Sequence, residues 1–356
     1  MRALRLVAET TLETADLPAP TAGSGEAVIR VEAAGVCRTD WHLWRGDWDW
    51  EGIRLPLPRT LGHEVAGTVV ELGPDVERVA VGDRVTVPFH LSCGRCEACC
   101  SGASEVCPRA DYLGSSLDGG WAELLRIPRA ELNVIPLPDG LGFDAAAAMG
   151  RRFMTAFHAI TVQGRVGPGD WVVVWGAGGG VGRSAVQILA GLGALAVAVD
   201  VVAEKLEPLR ELGAVALLDG ADAGLVERIV ELTGGGAHVG IDTLGSSRTI
   251  EASVCSLRAR GRHVQVGLTS SDDRGRVAMP VDLFVLRELE FIGSAGNPHH
   301  RYGPLFRFLD AARLDPARLI GRRLTLEEVP EVLDDMTTFK SAGLAVITRF
   351  DGRTPG

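Results

Sequence analysis

Residues 171–200 read WVVVWGAGGGVGRSAVQILAGLGALAVAVD, and this run decides the fold. WVVVWG is a short apolar, β-branched stretch of the kind that forms a strand buried on both faces. Gly176, Gly178, Gly179, Gly180 and Gly182 follow, with Val181 among them, so the backbone can turn tightly and approach a ligand closely. RSAVQILAGLG then reads as an apolar helix and ALAVAVD as a second strand ending at Asp200. Strand, glycine turn, helix, strand is the unit of a doubly wound parallel sheet. The helix aims its N-terminal N–H groups at a pyrophosphate. Asp200 stands about 20 residues past the strand, where a carboxylate accepts hydrogen bonds from both ribose hydroxyls of NAD and repels the 2′-phosphate of NADP. Lys205 can bridge to the same ribose. The bland alternative is a flexible glycine loop followed by a solvated aspartate. The order of the elements favours a nucleotide site, and NAD as its occupant.

Outward from this run, LRELGA, HVGIDTLG and RHVQVGL continue the alternation to about residue 295. Residues 1 to about 150 read instead as β with turns: VIRVEAAGVC, EVAGTVVELG and DRVTVPFH are β-branched runs parted by Gly, Pro and Asp. From about residue 296 a helix (GPLFRFLDAARLD) and a terminal strand (AVITRF) follow. The expected domains are 1–152, 153–295 and a return of 296–356 to the first. Composition fits a globular protein with a real core, at 356 residues, 46% hydrophobic and 23% charged. A net charge of −10 without a basic run excludes a nucleic-acid surface. MRALRLVAETTLETADLP lacks a signal-peptide core, and no apolar stretch approaches the roughly 18 residues of a membrane span.

Four of the seven cysteines, Cys93, Cys96, Cys99 and Cys107, follow C-x2-C-x2-C-x7-C. Four thiolates so spaced can close a tetrahedral shell around a structural zinc, which braces a lobe and leaves no position for substrate. The bland alternative is a set of free surface thiols. Cys100 is a competing fourth ligand, but Cys99 keeps the regular spacing. Clustered thiols of this kind suit metal binding in a reducing cytoplasm rather than a disulfide framework. Cys255 is expected in the core of a nucleotide-domain helix.

GVCRTDWH (35–42) and GHE (62–64) add a third and a fourth motif. With them the chain resembles the zinc-containing alcohol dehydrogenases of the medium-chain dehydrogenase/reductase superfamily over nearly its whole length. The resemblance implies a GroES-like β domain beside a Rossmann domain. It implies Cys37 and His63 as catalytic zinc ligands, Glu64 as a neighbour that ligates in some relatives, and Asp40 as the carboxylate that orients the histidine. Thr39 would take the alcohol proton, and His42 would pass it to solvent through the nicotinamide ribose. Arg38 would contact the pyrophosphate, while Thr155 and Leu268 would hold the nicotinamide. Phe89 and Trp48 would line the substrate pocket. Taken singly, His63 reads as a satisfied buried histidine; Cys37 and Glu64 make it a ligand candidate. Trp41, Trp44 and Trp50 are expected as packing in a loop. Asn297, His299 and His300 fall where the family lines its cleft.

One position departs from the pattern. The family's third zinc ligand falls at Arg151 in MGRRFMTAFHA, and arginine stays protonated and cannot ligate. Either zinc persists on Cys37, His63 and Glu64 with one open position, or Arg151 pairs with Glu64 and replaces the metal. A bare +2/+1 pair at about 5 Å costs on the order of 6 kcal/mol at an effective dielectric of 20, and the two anionic ligands offset most of that. The first case is an NAD(H)-dependent alcohol–carbonyl oxidoreductase. The second suits NAD(P)H-dependent reduction of an activated C=C or C=N bond. A third possibility is a catalytically dead NAD-binding sensor or partner protein, against which the retained Thr39 and His42 speak. A small-molecule substrate, a homodimer or homotetramer and a cytoplasmic location are expected. The substrate itself is not legible.

Overall fold

Val172, Val173 and Val174 are wholly inaccessible to solvent, as a two-sided strand requires, and each contributes about 1.5–3 kcal/mol by its burial. In the computed structural model, which describes residues 1–270, 272–338 and 343–350, the strand Trp171–Trp175 lies inside a six-stranded sheet. Its order is Ala216–Asp219, Leu195–Asp200, Trp171–Trp175, Ala237–Asp242, Leu257–Gln265, Glu290–Gly293, all parallel. The order reverses after Trp171–Trp175, the hallmark of a doubly wound sheet whose ligands sit at the carboxyl ends of the strands. The helices Gly180–Leu192, Leu225–Leu232 and Ser247–Cys255 supply crossovers.

By its contacts the chain divides into two units. The first holds Met1–Arg151, Asn297–Phe306 and the chain from Asp315 onward; the second holds Arg152–Gly296 and Arg307–Leu314. From the sequence, a return of all of 296–356 to the first domain is expected. Arg307–Leu314 lies instead with the second, where Phe308 meets Phe157 at 5.4 Å between ring centroids.

The first unit is built on a seven-stranded sheet. Ala27–Val36 pairs antiparallel with Val65–Leu72 on one side and with the last strand, Leu344–Arg349, on the other. Leu4, Ile29, Val65, Trp121, Leu324 and Ile347 form part of one core here.

The tryptophan-rich segment is not the loop that its composition suggests. Arg38–Arg45 is an α-helix carrying Trp41 and Trp44, and Trp50 sits on the short 3-10 turn Asp49–Glu51. The helix forms because Asp40, in its first turn, reaches back to the amide of Cys37 at 2.8 Å, and Gly46 ends it in the left-handed conformation (φ 62°).

Candidate active site and metal centres

Asp40 organises the first cluster. It is fully buried. Its Oδ2 caps the helix through Cys37, and its Oδ1 accepts from the Gly62 amide at 3.2 Å and faces His63 Nδ1 at 3.0 Å. His63 Nε2 is thereby turned away from Asp40, and it is buried with no hydrogen-bond partner. Burial by itself would lower the His63 pKa, but Asp40 and Cys37 raise it to about 10. Nε2 therefore holds a proton at neutral pH unless a cation takes its place.

Glu64 follows, wholly buried. Only glycine fits at 35, because a Cβ there would collide with the Glu64 carboxylate. Gly62 supplies the turn (φ 93°), and a side chain there would strike the buried ring of Trp121. Cys37, His63 and Glu64 thus present a sulfur, a nitrogen and an oxygen within 4.8 Å of one another, all from buried residues. That donor set, with an orphaned ring nitrogen at its centre, fits a zinc ion with an open position.

Arg151 lies just past the helix Phe143–Met149. Its Nη1 donates to Thr39 Oγ1 and stands 4.0 Å from Cys37 Sγ, and its guanidinium carbon lies 4.8 Å from the centroid of the Phe89 ring. The expected alternative pairing with Glu64 is not made. The preceding carbonyl, Gly150 O, is fixed by Asn297 Nδ2 at 2.8 Å and by the Tyr302 hydroxyl at 3.2 Å. That clamp helps set the direction in which Arg151 leaves the backbone, and Phe89 offers its face there.

Thr39 and His42 share the helix at i and i+3, hence on one side of it. His42 Nδ1 is 2.6 Å from Asp47 Oδ2, because the chain folds back after Gly46 and the Asp47 amide donates to the His42 carbonyl at 3.0 Å. Burial holds the His42 pKa below the ordinary imidazole value, and the nearby Arg38 and Arg151 charges add to this against the pull of Asp47. The imidazole is therefore neutral near pH 7, with Nδ1–H on Asp47 and Nε2 open as an acceptor. Trp48 stacks on His42 at 4.6 Å, and both line a small cavity with Leu6, Leu43 and Leu57. Phe89 instead lies edge-on to His63 at 6.2 Å. Trp48 thus sits by His42, and Phe89 by the Cys37–His63–Glu64 cluster. Arg38 donates to the Met336 carbonyl at 2.6 Å and lies 3.5 Å over Trp41. His299 is buried beside His90: its Nε2 donates to the His90 carbonyl at 3.2 Å, and the two rings stack with centroids 5.5 Å apart.

The second cluster gathers Cys93, Cys96, Cys99 and Cys107 within the same 4.8 Å limit, while Cys100 points outward and is exposed. Amides of Cys93 and Cys99 donate to the sulfurs of Cys107 and Cys96 at 3.5 Å each. The Arg95 amide lowers Cys93 to about 6, whereas burial and the adjoining Cys96 push Cys99 up to about 12. Sulfurs crowded in this way ionise together only around a cation, which is what a structural zinc supplies.

In the second unit the glycine turn opens the helix Gly180–Leu192, whose N-cap, Gly179, offers no side-chain cap. Its first N–H groups suit an anion. Gly176 takes φ 73°, and a Cβ on Gly178 would collide with Asp200 and Lys205. Asp200 Oδ2 accepts from the Gly178 amide at 2.9 Å, so the carboxylate sits against the turn. Val181 and Gly182 lie in the first turn of the helix. Thr155 is buried on the helix Arg152–His158, and Leu268 is 65% exposed. Cys255 ends the helix Ser247–Cys255 and is half-buried rather than core.

Sequence reasoning passed over Asp47, Trp121, Tyr302 and Arg183, whose Nε donates to Gly178 O at 3.0 Å across the glycine turn. Asp47 had a signal, the Gly-Asp pair that closes the helix carrying His42. Arg183 follows the glycine turn closely in sequence, whereas Trp121 and Tyr302 are joined to the site by tertiary contact alone.

The chain is similar to known alcohol dehydrogenases over nearly its whole length. Residues 23–139 match the alcohol dehydrogenase GroES-like domain and residues 180–311 the zinc-binding dehydrogenase domain. An alcohol dehydrogenase of Geobacillus stearothermophilus is 33% identical over 337 residues, 94% of this chain and 96% of that one. An NAD-dependent alcohol dehydrogenase of Sulfurisphaera tokodaii is 31% identical, over 98% of this chain and 99% of that one. The solved alcohol dehydrogenase of Thermus sp. ATN1 superimposes with a TM-score of 0.89 at 29% identity, covering 98% of this chain and 99% of that one.

Proposed function

This chain belongs to the zinc-containing alcohol dehydrogenase family of the medium-chain dehydrogenase/reductase superfamily, and on that premise we propose that it interconverts an alcohol and its aldehyde or ketone by hydride exchange with NAD(H). The observation that carries this is the buried, unpartnered His63 Nε2 within the Cys37–His63–Glu64 cluster, beside Thr39. A zinc ion held there by Cys37, His63 and Glu64 would supply Lewis-acid charge to the substrate oxygen.

The chain's own groups do the rest. Asp40 fixes the His63 ring so that Nε2 faces the cluster. Thr39 accepts the hydroxyl proton while donating its own onward. His42, kept neutral by burial and oriented by Asp47, is the base at the end of that path. Asp200, held against the glycine turn, favours the free ribose of NAD over the phosphorylated ribose of NADP. The cysteine lobe takes a second zinc that braces the first unit.

We also propose a homodimer or homotetramer in the cytoplasm. Support for assembly is the edge strand Glu290–Gly293, which exposes Phe291, and the preceding helix Val281–Arg287, which exposes Val281, Val285 and Leu286. Among the described residues no helix is long and apolar enough to cross a membrane. The test is zinc content together with alcohol oxidation by NAD⁺. About two zinc ions per chain are expected, with His63→Ala losing about one of them and the activity. One zinc per chain, with no turnover of any alcohol or carbonyl, would overturn the assignment.

A further inference from the structure

We propose that Arg151 is the residue that selects substrate, by binding the carboxylate of a hydroxy acid or of the corresponding oxo acid. The inference rests on the alcohol–carbonyl activity proposed above and names its substrate class.

Three observations carry it. Both hydrogen-bonding contacts of Arg151 within the protein leave from Nη1, to Thr39 and Cys37. Its Nε and Nη2 have no partner among the described residues, and no carboxylate pairs with it. That edge is the fork which binds a carboxylate through two parallel hydrogen bonds. Several other arginines in the first unit are matched to acids, among them Arg129 with Asp111 at 2.7 Å, Arg322 with Glu331 at 2.9 Å and Arg323 with Asp144 at 2.6 Å.

The second observation is that the guanidinium is held in place. Its backbone is fixed by the double clamp of Asn297 and Tyr302 on Gly150 O, and its flat face rests over Phe89. Stacking covers the face and leaves the N–H edges available.

The third is charge. A thiolate at this position would make the site more negative, and arginine makes it more positive. The imidazoles of His90 and His299 add no charge beside it. Burial, His299 and Arg151 hold His90 at about 3, and burial holds His299 at about 4. Arg151 thus adds a fixed cation, paired with no carboxylate among the described residues, beside the ligand cluster, and an anionic substrate balances it.

Nη1 is 4.0 Å from Cys37 Sγ, so an acid held on the Nε–Nη2 edge across the guanidinium still lies beside the ligand cluster, and short hydroxy acids are the class to test. In the forward direction the C–H electron pair leaves carbon as hydride for NAD⁺. The hydroxyl proton leaves through Thr39, the C–O bond becomes C=O, and the carboxylate is unchanged.

The test compares 2-hydroxybutyrate with its neutral isostere 2-hydroxybutyramide in the wild type, Arg151→Gln and Arg151→Lys. Binding of the unreactive pair butyrate and butyramide to the NADH complex is measured by calorimetry alongside. The wild type should prefer the acid of each pair. Arg151→Gln should lower the acid-to-amide ratio, in kcat/KM and in affinity, by on the order of 10- to 100-fold. Arg151→Lys should fall between, because it keeps the charge and loses the fork. Each ratio is taken within one protein, so partial loss of fold cancels. A wild type that prefers the amides, or ratios unmoved by Arg151→Gln, would overturn the assignment. If no alcohol of either kind turns over, the alcohol–carbonyl activity fails, and the butyrate–butyramide affinities still decide the role of Arg151.

Discussion

Asp47 Oδ2 lies 2.6 Å from His42 Nδ1, and this contact decides which nitrogen of the imidazole is open to accept a proton. Burial sets the His42 pKa below the ordinary value near 6.5. The acid limb of kcat/KM for alcohol oxidation should therefore fall below pH 6.5. Asp47 opposes that depression, so Asp47→Asn should move the limb lower still. It should also slow turnover by on the order of tenfold, because the ring loses its preferred tautomer. A pH–rate profile of both proteins checks this; an acid limb above 6.5 in the wild type would count against His42 as the base.

Metal binding at the first cluster should be strongly pH-dependent. His63 is raised to about 10 in the chain by itself, so zinc must displace its proton. Affinity should rise about tenfold per pH unit for each proton released, between pH 6.5 and 8.5. Asp40→Asn should weaken binding by about 10- to 100-fold, since the ring loses its orienting carboxylate. Competition with a chromogenic chelator measures both, and a pH-independent affinity would contradict the first.

The cysteine lobe separates two neighbouring thiols. Cys99 is in the cluster and Cys100 is exposed. Cys99→Ser should release about one zinc per chain and lower Tm by on the order of 5–10 °C. Cys100→Ser should leave both zinc content and Tm as they are. Elemental analysis and thermal melts of the two variants give the answer, and equal behaviour would refute the assignment of the fourth ligand.

At the nucleotide turn, Asp200→Ala removes two ribose acceptors and a repulsive charge together. The ratio of kcat/KM for NAD⁺ over NADP⁺ should drop by on the order of 100-fold or more. Asp200 also accepts the Gly178 amide, so Asp200→Asn, which keeps an acceptor there, should be better folded. Steady-state kinetics with both cofactors tests the ratio, which a structural role for Asp200 would not shift toward NADP⁺.

What the sequence displayed and what it hid differ by range. The glycine turn, the four cysteines and the Gly-His-Glu step are local patterns: the turn lies between strand and helix, and the cysteines gather in one cluster. The helix Arg38–Arg45 was hidden because its tryptophans resemble loop packing, while its cap comes from Asp40, a residue with a second task at His63. Arg151 showed as a missing ligand, but its direction did not. That depends on Thr39, 112 residues earlier, and on Asn297, 147 residues beyond Gly150. Contacts of such range leave no periodicity to read.

The pairing of Ala27–Val36 with Leu344–Arg349 has a consequence for biosynthesis. In the seven-stranded sheet, Ala27–Val36 waits for one of its partners until residues 344–349 have left the ribosome. The second unit draws on nearly contiguous chain and can fold while translation continues. The half of the molecule that holds Cys37, His63 and Arg151 is therefore begun first and finished last, so a nascent chain carries its candidate ligands long before it has the fold that holds them together.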